Sequence, residues 1–260
     1  MLFKEYIMKK GLIALLVIVF GAGILFWVRQ LKKPKFYEIP EKIVIGTSAD
    51  FPPMSYKENR DIVGFDIDVT KEVFRRLNKK YEIKDMPFSL LVTQLQAGTI
   101  HVIAAGMTPT EARKKQVSFS EPYLTQDPLL VISRSQFTPQ SIDDLKGKTV
   151  IVNQGYTADL YVSQIPDITI KRLPTVSDAL LALRSGRGDA FVTASSTAKP
   201  IFDQHDPDTF HYFAIDDVNE NAALGIAKAY PLLKDKIDTV LGYMEKDGTL
   251  KQFKEKWRVQ

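Results

Sequence analysis

The chain has 260 residues, 45% hydrophobic and 25% charged, an ordinary globular composition with length enough for one large domain or two small ones. It contains no cysteine, which excludes disulfides, thiolate metal sites, a cysteine nucleophile and a lipid-modified N-terminal cysteine. The formal charge of +4 is concentrated at the start: 28 basic and 29 acidic residues remain in 41–260, so the folded part is near neutral and offers no footprint for nucleic acid.

Gly11 to Val28 is apolar and uncharged throughout. As a helix it would reach about 27 Å, close to the ~30 Å hydrocarbon core of a bilayer. Lys9 and Lys10 precede it, as in a signal sequence. Gly21-Ala22-Gly23 supplies small residues of the kind a signal peptidase needs, but the apolar run continues through Ile24-Leu25-Phe26-Trp27. An uncleaved signal anchor is expected over about 11–28, with cleavage as the alternative. Basic residues on both flanks leave its orientation open. Residues 29–40, with Lys32-Lys33-Pro34-Lys35 and Pro40, read as a solvated linker that completes an N-terminal segment of 1–40.

Strand and helix patterns then alternate. Lys42 to Gly46 reads as a strand, broken by Phe51-Pro52-Pro53. Phe65, Val69, Val73, Phe74 and Leu77 recur at helical spacing over 65–78. Tyr81-Glu82-Ile83 is a short strand. Ser89 is expected to cap a helix over 90–97 that stops at Gly98. His101 to Ala105 reads as a buried strand ending at Gly106. The second half repeats this grammar: a strand over 148–152, the loop Asn153-Gln154-Gly155, a helix over 178–185 capped by Ser177 and stopped by Gly186, and a strand over 189–193. Ser89, Leu95 and Gly98 stand 88 residues before Ser177, Leu183 and Gly186. Two lobes of similar construction are expected, each with a mostly parallel sheet. Open α/β sheets bind ligands at the carboxyl ends of their strands. That places a cleft at Thr47-Ser48, Ala105-Gly106, Asn153-Gln154 and Thr193-Ala194, and a cleft between lobes is a default small-molecule site.

Motifs at these same positions carry a resemblance. They are Gly46-Thr47-Ser48-Ala49-Asp50-Phe51-Pro52-Pro53-Met54, Val63-Gly64-Phe65-Asp66-Ile67-Asp68 and Ala105-Gly106-Met107-Thr108-Pro109-Thr110-Glu111-Ala112-Arg113. Phe119-Ser120-Glu121-Pro122-Tyr123 and Leu145-Lys146-Gly147-Lys148 add to them. Over about 41–258 the chain resembles the polar amino-acid-binding proteins of ABC transporters, the bacterial extracellular solute-binding proteins of family 3. The resemblance implies an α/β, periplasmic-binding-protein type II-like fold: two α/β lobes joined by two crossover strands, here preceded by the anchor helix. It implies lobe 1 at 41–131 plus 225–260 and lobe 2 at 132–224, with crossings near Leu130-Val131 and Ala223 to Gly225.

Arg113 is the principal candidate site residue, because a guanidinium offers a rigid two-donor fork that fits a carboxylate. The resemblance sets the rings of Phe51 and Phe88 against the ligand's side chain, where they exclude water and attract a cation. It assigns Ala105, Gly106 and Thr108 to the ligand's α-amino and α-carboxylate groups, Thr157 to the carboxylate from lobe 2, and Asn153 to selection of the side chain. Two positions depart from the family. Ser48 stands where an acid is common, and Ala194 where an Asp commonly meets the ammonium group. Three alternatives follow: another acid (Asp50, Asp159 or Glu220) takes that role, neutral oxygens of Thr193, Ser195 or the backbone suffice, or the ligand lacks a standard α-amino group. Asp66 and Asp68 read as capping and stabilising groups, Glu121 as structural, and Trp257 as packing. His101, His205 and His211 have no metal-binding spacing.

These features imply a binding protein and not an enzyme, with no catalytic residues, no metal and no cofactor. It would capture a polar amino acid or related small carboxylate outside the cytoplasmic membrane, tethered by its N-terminal helix, and deliver it to an ABC transporter permease. The chain lacks a Gly-x-x-x-x-Gly-Lys-Ser/Thr loop and so is not the ATPase. The alternatives are a ligand-sensing module for a membrane receptor and, on the same fold, a cyclohexadienyl dehydratase-like enzyme. Loss of acids at Ser48 and Ala194 opposes the enzyme, which needs a positioned acid.

Overall fold

A computed structural model describes residues 37–203 and 208–259. The anchor expected over 11–28 lies outside the described residues. Among the described residues, no helix is long and apolar enough to cross a membrane. Glu38–Gln260 forms one compact unit.

Two five-stranded sheets organise this unit. The first contains β1 (Lys42–Thr47), β5 (Lys80–Asp85), β6 (Val102–Ile103), β7 (Ser118–Phe119) and β13 (Gly225–Ile226), in the order β5-β1-β6-β13-β7. The second contains β8 (Leu124–Arg134), β9 (Thr149–Asn153), β10 (Thr169–Leu173), β11 (Ala190–Ala194) and β12 (Phe210–Ala222), in the order β10-β9-β11-β8-β12. A small antiparallel meander joins β2 (Asp50–Phe51), β3 (Ser55–Glu58) and β4 (Asp61–Val63). The sheets are mixed, where mostly parallel ones were expected. Three strands of each are parallel, and β13 and β7, or β8 and β12, close one side antiparallel. The chain leaves the first sheet after Phe119 and returns between Ala222 and Gly225. The crossing expected near Leu130-Val131 falls inside β8, which is paired on both edges within the second sheet.

Helices cover the sheets. α1 (Phe65–Arg76) buries Phe65, Val69, Val73 and Phe74, the spacing of one helical face. α2 (Phe88–Gln96) follows β5, and α5 (Val176–Arg184) follows β10. Both caps lie two residues before the expected ones. Pro87 precedes α2 without a side-chain cap, leaving Ser89 in the first turn. Thr175, not Ser177, caps α5, its hydroxyl accepting from Asp178 N at 3.0 Å. The 88-residue offset nonetheless holds for both ends of the two helices, and each is followed by a glycine at positive φ, Gly98 and Gly186. The remaining helices are α3 (Glu111–Lys114), α4 (Thr157–Val162), α6 (Ser195–Asp203), α7 (Pro231–Lys246) and α8 (Thr249–Trp257).

Ile43 and Ile45 of β1, with Val102 and Ile103, are fully buried, as are Val150 to Val152 and Ala190 to Val192 in the second sheet. Strands covered on both faces read as continuous apolar runs for this reason. Surface ion pairs such as Lys42–Glu82, both side chains well exposed, are screened by solvent and contribute little. Truncating a buried Phe such as Phe74 costs about 3–5 kcal/mol, so the core decides the fold.

Candidate functional site

The carboxyl ends of β1, β6, β9 and β11 lead into the segments that carry the candidate residues. Arg113 lies in the four-residue helix α3, whose N-cap hydroxyl, Thr110 Oγ1, accepts from Arg113 N at 3.3 Å. Its side chain is only 7% exposed. Nη1 donates to the Thr108 carbonyl at 2.8 Å and to Thr157 Oγ1 at 3.4 Å, and Nη2 donates to the Gly155 carbonyl at 2.8 Å. One guanidinium thus bridges a first-sheet segment and the loop after β9. Its Cζ lies 5.4 Å from the centre of the Phe88 ring. Burial lowers its pKa to about 10, with nearby Glu220 opposing the drop, so the group stays cationic at neutral pH.

Tyr156 carries no signal in the sequence. It projects from the second-sheet side against both predicted rings, 5.2 Å from Phe51 edge-on and 4.3 Å from Phe88. A single aromatic after Gly155 in a loop has no periodicity to reveal it. Beside these rings, Ser48 Oγ donates to Asp50 Oδ1 at 2.6 Å, and Asp50 Oδ2 is buried with no hydrogen-bond partner among the described residues. Burial raises the Asp50 pKa, and the Ser48 bond opposes the rise. Asn153 Oδ1 and the Tyr156 hydroxyl are likewise buried without partners among the described residues. Burial, and then the Asp50 charge, pushes the Tyr156 phenol well above its ordinary pKa.

Gly106 adopts φ +60°, and a Cβ there would lie 2.9 Å from Phe51 Cε1. Its N–H donates to the fully buried carboxylate of Asp66, which also accepts from the Tyr123 hydroxyl at 2.9 Å. Asp66 therefore braces the site loop from α1 and does not cap its own helix. Asp68 accepts from Lys256 Nζ and Trp257 Nε1. Thr108 is buried and its hydroxyl accepts from Asn221 N at 3.2 Å. Ala105 is buried beside Gly106. Asn153 Nδ2 donates to the Leu173 carbonyl at 3.4 Å, and Thr193 is buried in β11 opposite Leu130. The structure thus groups Arg113, Thr108, Thr157 and Phe88, and joins Phe51 to Phe88 through Tyr156. Asn153 and Thr193 reach no other candidate by a hydrogen bond among the described residues.

The three alternative acids separate clearly. Asp159 is engaged by Gly155 N at 2.9 Å and by Arg172 Nε at 3.0 Å. Asp50 sits by the aromatic rings. Glu220, on β12, is buried and borders a narrow cavity with Phe51, Gly106, Asp127 and Ser196. Burial first, then the Asp127 charge, raises its pKa to about 8, while Arg113 opposes. A wide groove of about 770 Å³ lies elsewhere, lined by Asp68, Lys71, Glu72, Arg75, Lys79 and other residues of mixed charge. It lies by the amino ends of β1 and β5, away from the carboxyl ends of the strands. Among the described residues, no group of three or more His, Asp or Glu could hold a metal ion.

The sequence family described as bacterial extracellular solute-binding proteins, family 3, matches residues 43–260. The chain belongs to this family. The arginine-binding extracellular protein ArtP of Bacillus subtilis (strain 168) is 36% identical over 222 residues, covering 84% of this chain and 86% of that protein. An ancestral arginine-binding protein bound to arginine superposes with a TM-score of 0.78 at 35% identity, covering 85% of this chain and 99% of the other. An ancestral arginine-binding protein bound to glutamine matches equally well, again with a TM-score of 0.78 at 35% identity. The fold is therefore the α/β fold of type II periplasmic binding proteins, with mixed sheets.

Proposed function

We propose that this protein captures a cationic α-amino acid, arginine foremost, between its two sheets outside the cytoplasm and delivers it to an ABC transporter permease. The observation that carries the cationic preference is the buried Asp50 Oδ2, unpartnered among the described residues and set beside the aromatic group of Phe51, Phe88 and Tyr156. A guanidinium or ammonium group would supply the missing donor. Desolvated aromatic faces add about 2 kcal/mol to binding of a cation. The relatives' names support this choice. An ancestral relative's capture of glutamine makes glutamine the natural competitor.

In this proposal Arg113 receives the ligand's carboxylate on its two-donor fork, with Thr108 and Thr157 alongside. Ala105 and Gly106 allow close backbone approach, Phe51 and Phe88 wall the side chain, and Ser48, Asn153 and Thr193 line the polar end. Arg113 now holds the Thr108 and Gly155 carbonyls; a carboxylate replaces neutral acceptors with a charged one. The segments near 119–124 and 222–225 act as the hinge between lobes. Residues 11–28 keep the protein on the outer face of the membrane, since their apolar run exceeds the core of a cleaved signal.

A single preparation from membranes tests this proposal. Its intact mass should retain residues 1–40. Calorimetry should show L-arginine binding, and Asp50→Asn should weaken arginine roughly tenfold while leaving glutamine within about twofold. Loss of both ligands to the same extent, or failure of arginine to bind, would refute the cationic preference.

A further inference from the structure

We propose that Glu220 is the specificity-determining acid of this site: its carboxylate receives the ammonium group of an α-amino acid whose carboxylate lies on Arg113. The inference rests on the reading that an amino acid occupies the cleft. Residue 194, at the end of β11, is alanine and supplies no charge.

Glu220 is 8% exposed and borders the cavity lined also by Phe51 and Gly106. Its register partner across the antiparallel β8–β12 ladder is Asp127, so a buried acid and a half-buried one stand directly opposite one another. Like charges in that position are unfavourable, and a buried carboxylate needs a donor or a cation. The pairing of β12 with β8 is irregular on both sides of this stretch, between Ala214 and Asn219 and between Glu220 and Ala222. Such irregularities re-aim side chains. Asp127 is already committed, accepting from Ser196 N at 2.9 Å and Ser196 Oγ at 2.5 Å. Glu220 is the acid left to face the cavity.

Three groups from three elements act on Glu220, two of them charged. Arg113 on α3 attracts it, Asp127 on β8 repels it, and the Thr157 hydroxyl of α4 stands beside it. Lys199 on α6 acts on Asp127. Arg113 spends its hydrogen bonds on the carbonyls of Thr108 and Gly155 and not on Glu220. A buried guanidinium and a buried carboxyl thus lie near one another with no hydrogen bond or ion pair between them among the described residues. An α-amino acid carries an anion and a cation on one carbon, which satisfies both. Glu220 holds a proton over much of the neutral range, its pKa lying at about 8, so an arriving ammonium group should expel it. Binding should therefore release up to one proton.

Calorimetry on the full chain at pH 7 tests this, in two buffers of different ionisation enthalpy. The probes are L-arginine, L-glutamine and L-histidine, each beside its des-amino analogue: 5-guanidinopentanoate, glutaramate and imidazole-4-propionate. The protein should bind at least one amino acid more tightly than its analogue and release protons as it does so. Glu220→Gln should weaken that amino acid roughly 30-fold or more, leave the analogue within about threefold, and abolish proton release. Glu220→Asp should recover part of the affinity. Circular dichroism confirms that the variants are folded. Equal losses for both members of a pair, no loss for either, analogues bound as tightly as amino acids, or no binding at all would overturn the proposal. Preference for glutamine over arginine would instead overturn the cationic side-chain assignment, leaving Glu220 to be judged on the amino to des-amino ratio.

Discussion

Gly106 shows how one residue can fix a site. Its positive φ and the close approach of Phe51 both favour a residue without a Cβ, and its N–H bond to Asp66 holds the loop in that place. Gly106→Ala is expected to destabilise the protein by about 1–3 kcal/mol and to displace the Phe51 ring. Urea unfolding checks the first effect and loss of ligand affinity the second; an unchanged midpoint with unchanged affinity would contradict this role. Gly106 and Arg113 were legible in the sequence because each sits in a motif just after a strand end. Tyr156 was not, since one loop aromatic is indistinguishable from any other until the opposing lobe is in place. Glu220 was visible only as one of three possible acids. It took cross-strand register with Asp127 and the cavity to separate it from Asp159, which is tied to Arg172.

At the scale of elements, α1 supplies both a brace and a pH response. Burial raises the Asp66 carboxyl to about 6, with its bonds to Gly106 and Tyr123 opposing. Between the ordinary carboxylate range and pH 6 the native state therefore holds more protons than the unfolded chain, and this group's contribution to stability falls as pH rises through that window. Glu220 behaves alike up to about pH 8. Glu72, on the outer face of the same helix, runs the other way. Hydrogen bonds from Arg75 lead in lowering it to about 2, so its contribution is present above its unfolded pKa and is lost as pH falls toward 2. The ligand-free protein is thus expected to be most stable near about pH 5, with its urea midpoint declining toward pH 8. A midpoint that climbs steadily from pH 5 to 8 would contradict the burial of these acids. The elements themselves were read well where periodicity is strong, as in α1. They were misread where tertiary pairing decides. His101 to Ala105 shrinks to the two residues of β6. The long strands β8 and β12 carry Asp127, Pro128 and Glu220, which hide them from a pattern search based on apolar runs.

The described residues form two five-stranded sheets and a small meander, the two large sheets sharing one set of crossing segments, with an arginine from one side hydrogen-bonded to the loop of the other. The repeated 88-residue spacing made two similar halves legible from sequence. The way the antiparallel strands close each sheet was not, because it depends on pairing partners far apart in the chain. If the lobes are hinged, ligand favours the closed form only through contacts it makes with both of them. The central claim is that the Arg113 guanidinium, by gripping an anionic group, drives that closure. Small-angle X-ray scattering of residues 38–260, with and without saturating L-arginine, measures it most directly. The radius of gyration should fall on binding toward the ~17 Å of a compact chain of this length, and Arg113→Ala should abolish the fall. An unchanged radius with ligand bound, or the same contraction in Arg113→Ala at equal ligand, would contradict the account.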